Sequence, residues 1–444
     1  MAVVITAAES ERDQALVAGA LAAAGLAEGD RIALVAGSSP EYLAVALGAL
    51  RRGIVPVLLH PGLTTTELDA LLTDAEPAAV LRDDEVIGFV RAARDADHPA
   101  ELAPYPRTRP MLYTSGTTGT PKGVWTGLLT DTEAEALVLE ERAAWGFEAA
   151  DRHIVVSPLH HSAPMRFAGG VLLAGGSVVL PGPFDAATLV DAFVVHRPTN
   201  AFLVPAHLQR LLAHAEATGD RLPLESFRRV AHAGSACPEV LKRRALDAFP
   251  DGVLWEFYGS TEGQFTVCAP DEWTARPGTV GRARSGRTLA TDPDGTIWCR
   301  VPSHARFEYW RAPEKTALAW RDDAFSVFDV GTLDDDGYLF LDGRRDDLII
   351  TGGVNVYPLE VERVLLAAPG VDDLAVFPLP DERWGDMVCA AVVGPITEAD
   401  LDAWARERLA PHKRPKRYVR LDAIPITTMG KVRRTHLAAE LGLV

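Results

Sequence analysis

Between Arg31 and Phe257 short runs rich in Val, Ile and Leu alternate with amphipathic stretches, and this alternation restricts the fold more than any other feature. Strand-like Arg31 to Ala36 is followed by helical Pro40 to Arg52, strand-like Ile54 to Leu59 and helical Thr65 to Asp74. Further strands are expected at 153–156, 177–180, 200–204, 229–233 and 253–257, separated by helical patterns such as Pro238 to Phe249. Strands in this rhythm are joined by helical crossovers, so the expected class is α/β, with parallel or mixed sheets covered by helices. With 444 residues the chain exceeds the size at which one core keeps growing. A texture change near Asp329, through Asp334-Asp335-Asp336-Gly337 to Gly343-Arg344-Arg345-Asp346-Asp347, marks the expected boundary. It separates a large N-terminal domain, 1–343, from a small α+β C-terminal domain, 344–444. The latter has helices expected at Pro358 to Ala368 and Thr397 to Leu409, and strands at Val371 to Phe377 and Met387 to Val393.

A formal charge of −17 argues against a nucleic-acid scaffold and against docking on anionic membranes. Any bound polyanion must then occupy a local basic or amide-lined pocket. Cys237, Cys268, Cys299 and Cys389 lie far apart without a Cys-x-x-Cys pair, which disfavours zinc and a disulfide framework and fits a reducing, cytoplasmic setting. The N-terminal apolar run, Ala2 to Ile5, is too short for a signal peptide. Phe167 to Phe184 carries no charge, but its glycines and prolines speak for buried strand and turns rather than a membrane span.

The chemistry begins at Thr114-Ser115-Gly116-Thr117-Thr118-Gly119-Thr120-Pro121-Lys122-Gly123-Val124. Gly116, Gly119 and Gly123 let backbone approach a bulky anion, Thr114, Ser115, Thr117 and Thr118 add short donors, and Lys122 adds a cation. A pyrophosphate group is the natural occupant. The spacing is not that of the common phosphate loop, which needs four residues between its glycines and a Gly-Lys-Ser/Thr ending.

Four later segments accompany this loop: Tyr258-Gly-Ser-Thr261-Glu262, Asp329 before the acidic turn, Gly343-Arg344-Arg-Asp346 through Gly352-Gly353, and Pro425 to Lys431. With it they resemble the adenylate-forming superfamily of acyl-CoA synthetases, luciferases and peptide-synthetase adenylation domains, from about residue 31 to 435. The resemblance implies ATP, Mg²⁺ and CoA. A carboxylate would attack the α-phosphate of ATP, releasing pyrophosphate and leaving an acyl-adenylate for transfer to a thiol. It assigns Glu262 to Mg²⁺, Thr261 to the α-phosphate, Tyr258 to the adenine face, and Gly234 and Ser235 to the border of the adenine and acyl pockets. Asp329 would take the ribose hydroxyls with Arg344 assisting, although Val327-Phe328 replaces the family's Thr-Gly before it. Lys431 would contact the carboxylate and α-phosphate, Asp346 would be the hinge of a mobile C-terminal domain, and Gly352 and Gly353 would line the path of the pantetheine arm. Of His160 and His161, the register favours His161 as the histidine gating the acyl pocket. Arg166 reads as a surface or sheet-edge arginine, with pairing to an anionic substrate as the alternative. The expected substrate is a small-molecule acid. The same fold could instead adenylate another oxyanion such as nitrite, or pass the acyl group to an amine or a carrier protein.

Overall fold

The computed structural model describes residues 2–114, 121–426 and 432–444, and of Asp346 the backbone alone. Ser115, Gly116, Thr117, Thr118 and Lys431 therefore lie outside the described residues. The strand-helix rhythm builds a six-stranded sheet in the order Val3–Thr6, Ser177–Leu180, Arg152–Val155, Asn200–Leu203, Arg229–His232, Leu254–Glu256. The first strand is antiparallel to its neighbour and the others run parallel, buried on both faces. Arg152–Val155 has its successor in sequence on one side and Asn200–Leu203 on the other, which creates a topological switch point. A second parallel sheet, Val55–Leu59, Arg31–Val35 and Ala79–Arg82, packs beside it.

One expectation fails in an informative place. The uncharged stretch beginning at Phe167 is not strand there: Ser162–Leu173 is a helix, and strand returns only at Ser177–Leu180. Its glycines serve helix packing, since a Cβ on Gly170 would lie 2.5 Å from the Phe147 ring and one on Gly169 3.1 Å from Leu47. Among the described residues no helix is long and apolar enough to cross a membrane.

Two four-stranded antiparallel sheets follow. One joins Thr266–Val267, Thr279–Ala283, Tyr338–Arg344 and Asp329–Leu333; the other joins Thr288–Thr291, Ile297–Arg300, Ala324–Phe325 and Trp320–Arg321. After a single 3-10 turn, Arg345–Asp347, the chain enters a separate five-stranded sheet of Ile349–Thr351, Val354–Val356, Asp373–Asp381, Gly385–Val393 and Arg417–Arg420. Helices Pro358–Leu365, Glu398–Arg408 and Arg434–Glu440 accompany this sheet, whose cores are its own. The α/β architecture, a large N-terminal part and a smaller α+β C-terminal part, is the one expected.

Candidate active site

The parallel strands deliver their carboxyl ends to one edge, where open α/β sheets bind ligands. Beyond Arg152–Val155 the chain reaches His161, the N-cap residue of helix Ser162–Leu173. Beyond Arg229–His232 come Gly234, held at φ +98°, and exposed Ser235. Beyond Leu254–Glu256 come Tyr258 and a tight turn in which the Ser260 amide donates to the Gly263 carbonyl at 2.8 Å. Thr261 and Glu262 occupy this turn. Its glycines are obligatory: a Cβ on Gly259 would sit 2.8 Å from the Gly263 oxygen, and one on Gly263 2.9 Å from Phe325.

Two clusters form around this edge, each on a buried carboxylate. In the first, the Tyr258 hydroxyl donates to Asp329 Oδ2 at 2.6 Å, and Arg344 Nε lies 3.0 Å from Asp329 Oδ1. Asp329 and Arg344 face each other in the antiparallel ladder, so strand register brings them together. Burial, then the Asp329 charge, pushes the Tyr258 phenol far above its ordinary range, while Asp329 raises the Arg344 guanidinium. Tyr258 thus stays a neutral donor and Arg344 a cation. The Tyr258 ring also packs against Phe265, with centroids 4.8 Å apart.

In the second cluster Glu262, only 6% exposed, accepts a 2.9 Å hydrogen bond from the Tyr309 hydroxyl. The Lys122 ammonium lies 4.9 Å from the centroid of the same Tyr309 ring. Lys122 pairs with Thr114 across strands Leu112–Thr114 and Lys122–Trp125, so these strands flank the glycine-rich segment. Lys122 is accordingly a strand residue rather than the close of a loop. Gly123 follows it in the strand, where a Cβ would meet the Met111 methyl at 2.2 Å. Tyr309, which links Lys122 to Glu262, carried no motif signal; its strand Glu308–Tyr309 pairs with Trp125 and Val124.

The Val327-Phe328 departure leaves the backbone in glycine-like territory. Phe328 has φ +62°, its amide donates to Ser326 Oγ at 2.9 Å, and its carbonyl accepts from the Arg345 amide at 3.1 Å. A left-handed non-glycine residue costs roughly 1–2 kcal/mol, and here that conformation delivers Asp329 to Tyr258. In the C-terminal part, Gly352 at φ +57° and Gly353 at φ +79° form a two-residue hairpin turn between Ile349–Thr351 and Val354–Val356. The Gly352 amide donates to the Trp384 carbonyl at 2.7 Å, so these glycines lie away from the Tyr258 turn in sequence and in sheet.

Beside the Thr261 turn lies a cavity of about 240 Å³ lined by Thr261, Gly263, Gln264, Ser162, Met165 and Arg166, among others. Arg166 is therefore not a surface or sheet-edge residue; it is helical, with its side chain 23% exposed. His160 packs edge-on against His60 and His161, and burial, with those two rings, pushes its pKa down to about 3. It is neutral at physiological pH. Among the described residues no group of three or more His, Cys, Asp or Glu side chains is arranged to hold a metal. Glu262 alone fits an ion that takes most of its ligands from phosphates and water, the habit of Mg²⁺.

A doubly wound edge closed by an antiparallel sheet, with a buried carboxylate on each side, is the arrangement of an adenylate-forming enzyme. Comparison with known proteins agrees. The chain belongs to the AMP-binding enzyme family, whose model matches residues 3–295, and the AMP-binding enzyme C-terminal domain matches residues 360–431. A feruloyl-CoA synthase of an Amycolatopsis species is 33% identical over 99% of this chain and 94% of its own length. The structure of ATP-bound MatB from Rhodopseudomonas palustris is similar at a TM-score of 0.84 and 30% identity, covering 96% of this chain and 91% of that one. The amide bond synthetase McbA from Marinactinospora thermotolerans is similar at a TM-score of 0.84 and 27% identity, covering 99% of this chain and 95% of that one.

Proposed function

We propose that the protein is an ATP-dependent ligase that activates a carboxylic acid as its acyl-adenylate and transfers the acyl group to CoA. The observation that carries this reading is the meeting of Tyr258, Asp329 and Arg344 on one side of the Thr261 turn with Glu262, Tyr309 and Lys122 on the other. In the first half-reaction a carboxylate oxygen bonds to the α-phosphorus and the bond to the β-phosphate oxygen breaks, releasing pyrophosphate. In the second, the thiol sulfur bonds to the acyl carbon, AMP departs with the electron pair of the mixed anhydride, and the thiol proton passes to solvent.

In this reading Asp329, oriented by Tyr258 and Arg344, accepts hydrogen bonds from the ribose hydroxyls. Thr261 donates to the α-phosphate, and Thr114, Ser115, Gly116, Thr117, Thr118 and Lys122 cradle the departing phosphates. Glu262 is the protein ligand of Mg²⁺, which when bound would neutralise phosphate charge. Gly234 and Ser235 border the adenine, and His161 stands at the entry to the acid pocket. Residues 1–343 and 344–444 act as two domains, with Asp346 in the Arg345–Asp347 turn as the hinge. Lys431, carried on the smaller domain, supplies the cation that adenylation needs. Rotation then exchanges Lys431 for the Gly352-Gly353 turn beside the incoming pantetheine arm.

Lys431→Ala tests this division of labour. Acid-dependent pyrophosphate release should fall below detection, while thioester formation from a supplied acyl-adenylate persists. Equal loss of both steps would refute the exchange. The similarity to an amide bond synthetase over nearly the whole chain favours one second reading, in which an amine replaces the thiol; a carrier-protein thiol is the nearer variant. Product analysis with and without CoA separates these acceptors.

A further inference from the structure

The cavity beside Thr261 holds more positive charge than its own carboxylates neutralise. Helix Asp131–Trp145, started by Thr130 and ended at Gly146 with φ +65°, presents Glu140 and Glu141 towards it. Arg284 Nη1 donates to Glu141 Oε1 at 2.7 Å and to Gln264 Oε1 at 2.8 Å, and Arg284 Nη2 lies 3.1 Å from Glu140 Oε1. Arg287 also pairs with Glu140, as does His304 Nε2 at 2.7 Å. Two carboxylates are thereby matched by two guanidinium groups, Arg142 turns its Nε to the Phe147 carbonyl at 3.1 Å, and Arg109 and Arg166 remain.

Both of these line the cavity. Arg166 Nε stands 3.5 Å from Glu141 Oε2, beyond a normal hydrogen bond, and its guanidinium lies 5.4 Å from the Phe257 ring centroid. The Arg109 side chain has no hydrogen-bond or ion-pair partner among the described residues, and burial, then repulsion from Arg166, pushes its pKa down to about 10. Burial works to raise the Glu141 carboxyl, yet Arg166 and Arg284 hold it down at about 2, so it stays an anion already committed to Arg284. Two half-buried, under-paired guanidinium groups side by side repel each other, and a chain of net charge −17 has carboxylates in plenty to neutralise them. Leu112, Val124, Met165 and Leu173 supply an apolar part of the wall, beside the hydroxyls of Thr108, Thr126 and Ser162.

We propose that this cavity is the acid pocket and that it selects a dicarboxylic acid, one carboxylate reaching the Thr261 turn and the other held by Arg109 and Arg166. The inference rests on the ligase reading above and names its substrate class. Planar guanidinium forks suit a carboxylate in two-point contact, and the Leu, Val and Met side chains suit a hydrocarbon body between the two charges.

The test compares straight-chain diacids from succinate to suberate, and terephthalate, with the monomethyl ester of each, which keeps the length and removes the distal charge. In acid-dependent ATP–pyrophosphate exchange a diacid should exceed its half-ester about ten- to a hundredfold in kcat/KM, the usual worth of hydrogen bonds to a charged group. Arg109→Met and Arg166→Met should each collapse that ratio towards one, and Arg166→Lys should restore part of it. Equal use of diacid and half-ester, or variants that lower both without changing the ratio, would overturn the proposal and leave the ligase reading intact. If no acid supports exchange, the ligase reading fails. Calorimetric titration of the same diacids then decides the inference alone: binding that Arg166→Met loses supports it, and no binding to the wild-type protein overturns it.

Discussion

Lys242 lies on helix Glu239–Ala248, is fully buried, and contacts His232 Nε2 and Glu256 Oε2, the latter at 3.3 Å. His232 ends strand Arg229–His232 and Glu256 ends strand Leu254–Glu256, so this cluster ties the helix to the two strands that deliver Gly234 and Tyr258. Burial, with Lys242 beside it, keeps the His232 imidazole well below its ordinary pKa and therefore neutral, leaving Lys242 and Glu256 as the charged pair. At 3.3 Å and an effective dielectric constant of about 20, their attraction is about 5 kcal/mol. Removing one partner of a buried pair typically costs about 3–5 kcal/mol. Lys242→Met should therefore lose roughly 3–5 kcal/mol at pH 8. The loss should depend on pH. Burial already raises the Glu256 carboxyl against the opposing pull of Lys242, and without Lys242 it rises further. A carboxyl raised in the folded state favours folding fully below its unfolded pKa, and that contribution disappears as pH climbs through the folded value. Acidification from pH 8 should accordingly shrink the deficit once pH falls to the folded Glu256 pKa, with a limiting slope of about 1.4 kcal/mol per unit. Urea unfolding of both proteins at pH 8 and pH 5.5, followed by circular dichroism, measures it. Lys242→Met/Glu256→Gln should remove the slope. A deficit under about 1 kcal/mol at pH 8 would show that the cluster is not the ionic tie described.

Tyr258→Phe removes the donor to Asp329 and should raise the KM for ATP about ten- to a hundredfold in pyrophosphate release, the usual worth of a hydrogen bond to a charged group; an unchanged KM would remove Tyr258 from the positioning of Asp329. Glu262→Gln retains an acceptor for Tyr309 but discards the charge, so the Mg²⁺ concentration giving half-maximal adenylation should rise severalfold, and an unshifted Mg²⁺ titration would count against Glu262 as a ligand. Phe328→Asn and Phe328→Val both delete the ring, but only asparagine tolerates φ +62°, so thermal unfolding should find the asparagine variant more stable by about 1 kcal/mol. Equal stability would mean that the left-handed backbone at this position costs nothing.

What the sequence made legible is what local chemistry dictates. The βαβ rhythm follows from side-chain periodicity, and the observed strand Arg31–Val35 and helix Pro40–Arg51 fall where that rhythm puts them. Tyr258, Asp329 and Arg344 could be named because each sits in a short motif, and the fold then brings them within hydrogen-bonding distance across 71 residues of chain in the case of Tyr258 and Asp329. Contacts that depend only on how distant elements meet left no such trace. Tyr309 reaches Glu262 across 47 residues, and Arg284 reaches Glu141 across 143, with neither pair announced by spacing. The glycines misled where packing outranked turn chemistry: Gly169 and Gly170 suggested a break, yet they permit helix Ser162–Leu173 to lie against Leu47 and Phe147.

Phe328 shows how far a motif departure can be read. Val327-Phe328 in place of Thr-Gly puts a side chain where glycine would enter the left-handed region without strain. The backbone enters it regardless, held by Ser326 Oγ on one side and the Arg345 amide on the other. Those bonds offset a conformational cost that glycine would not incur, and Asp329 keeps its partners in Tyr258 and Arg344. The constraint therefore acts on the path of the chain into the carboxylate rather than on the residue preceding it. A ring at Phe328 is tolerable here because the neighbouring hydrogen bonds fix that path, and strain held this close to a buried carboxylate is where functional sites characteristically store it.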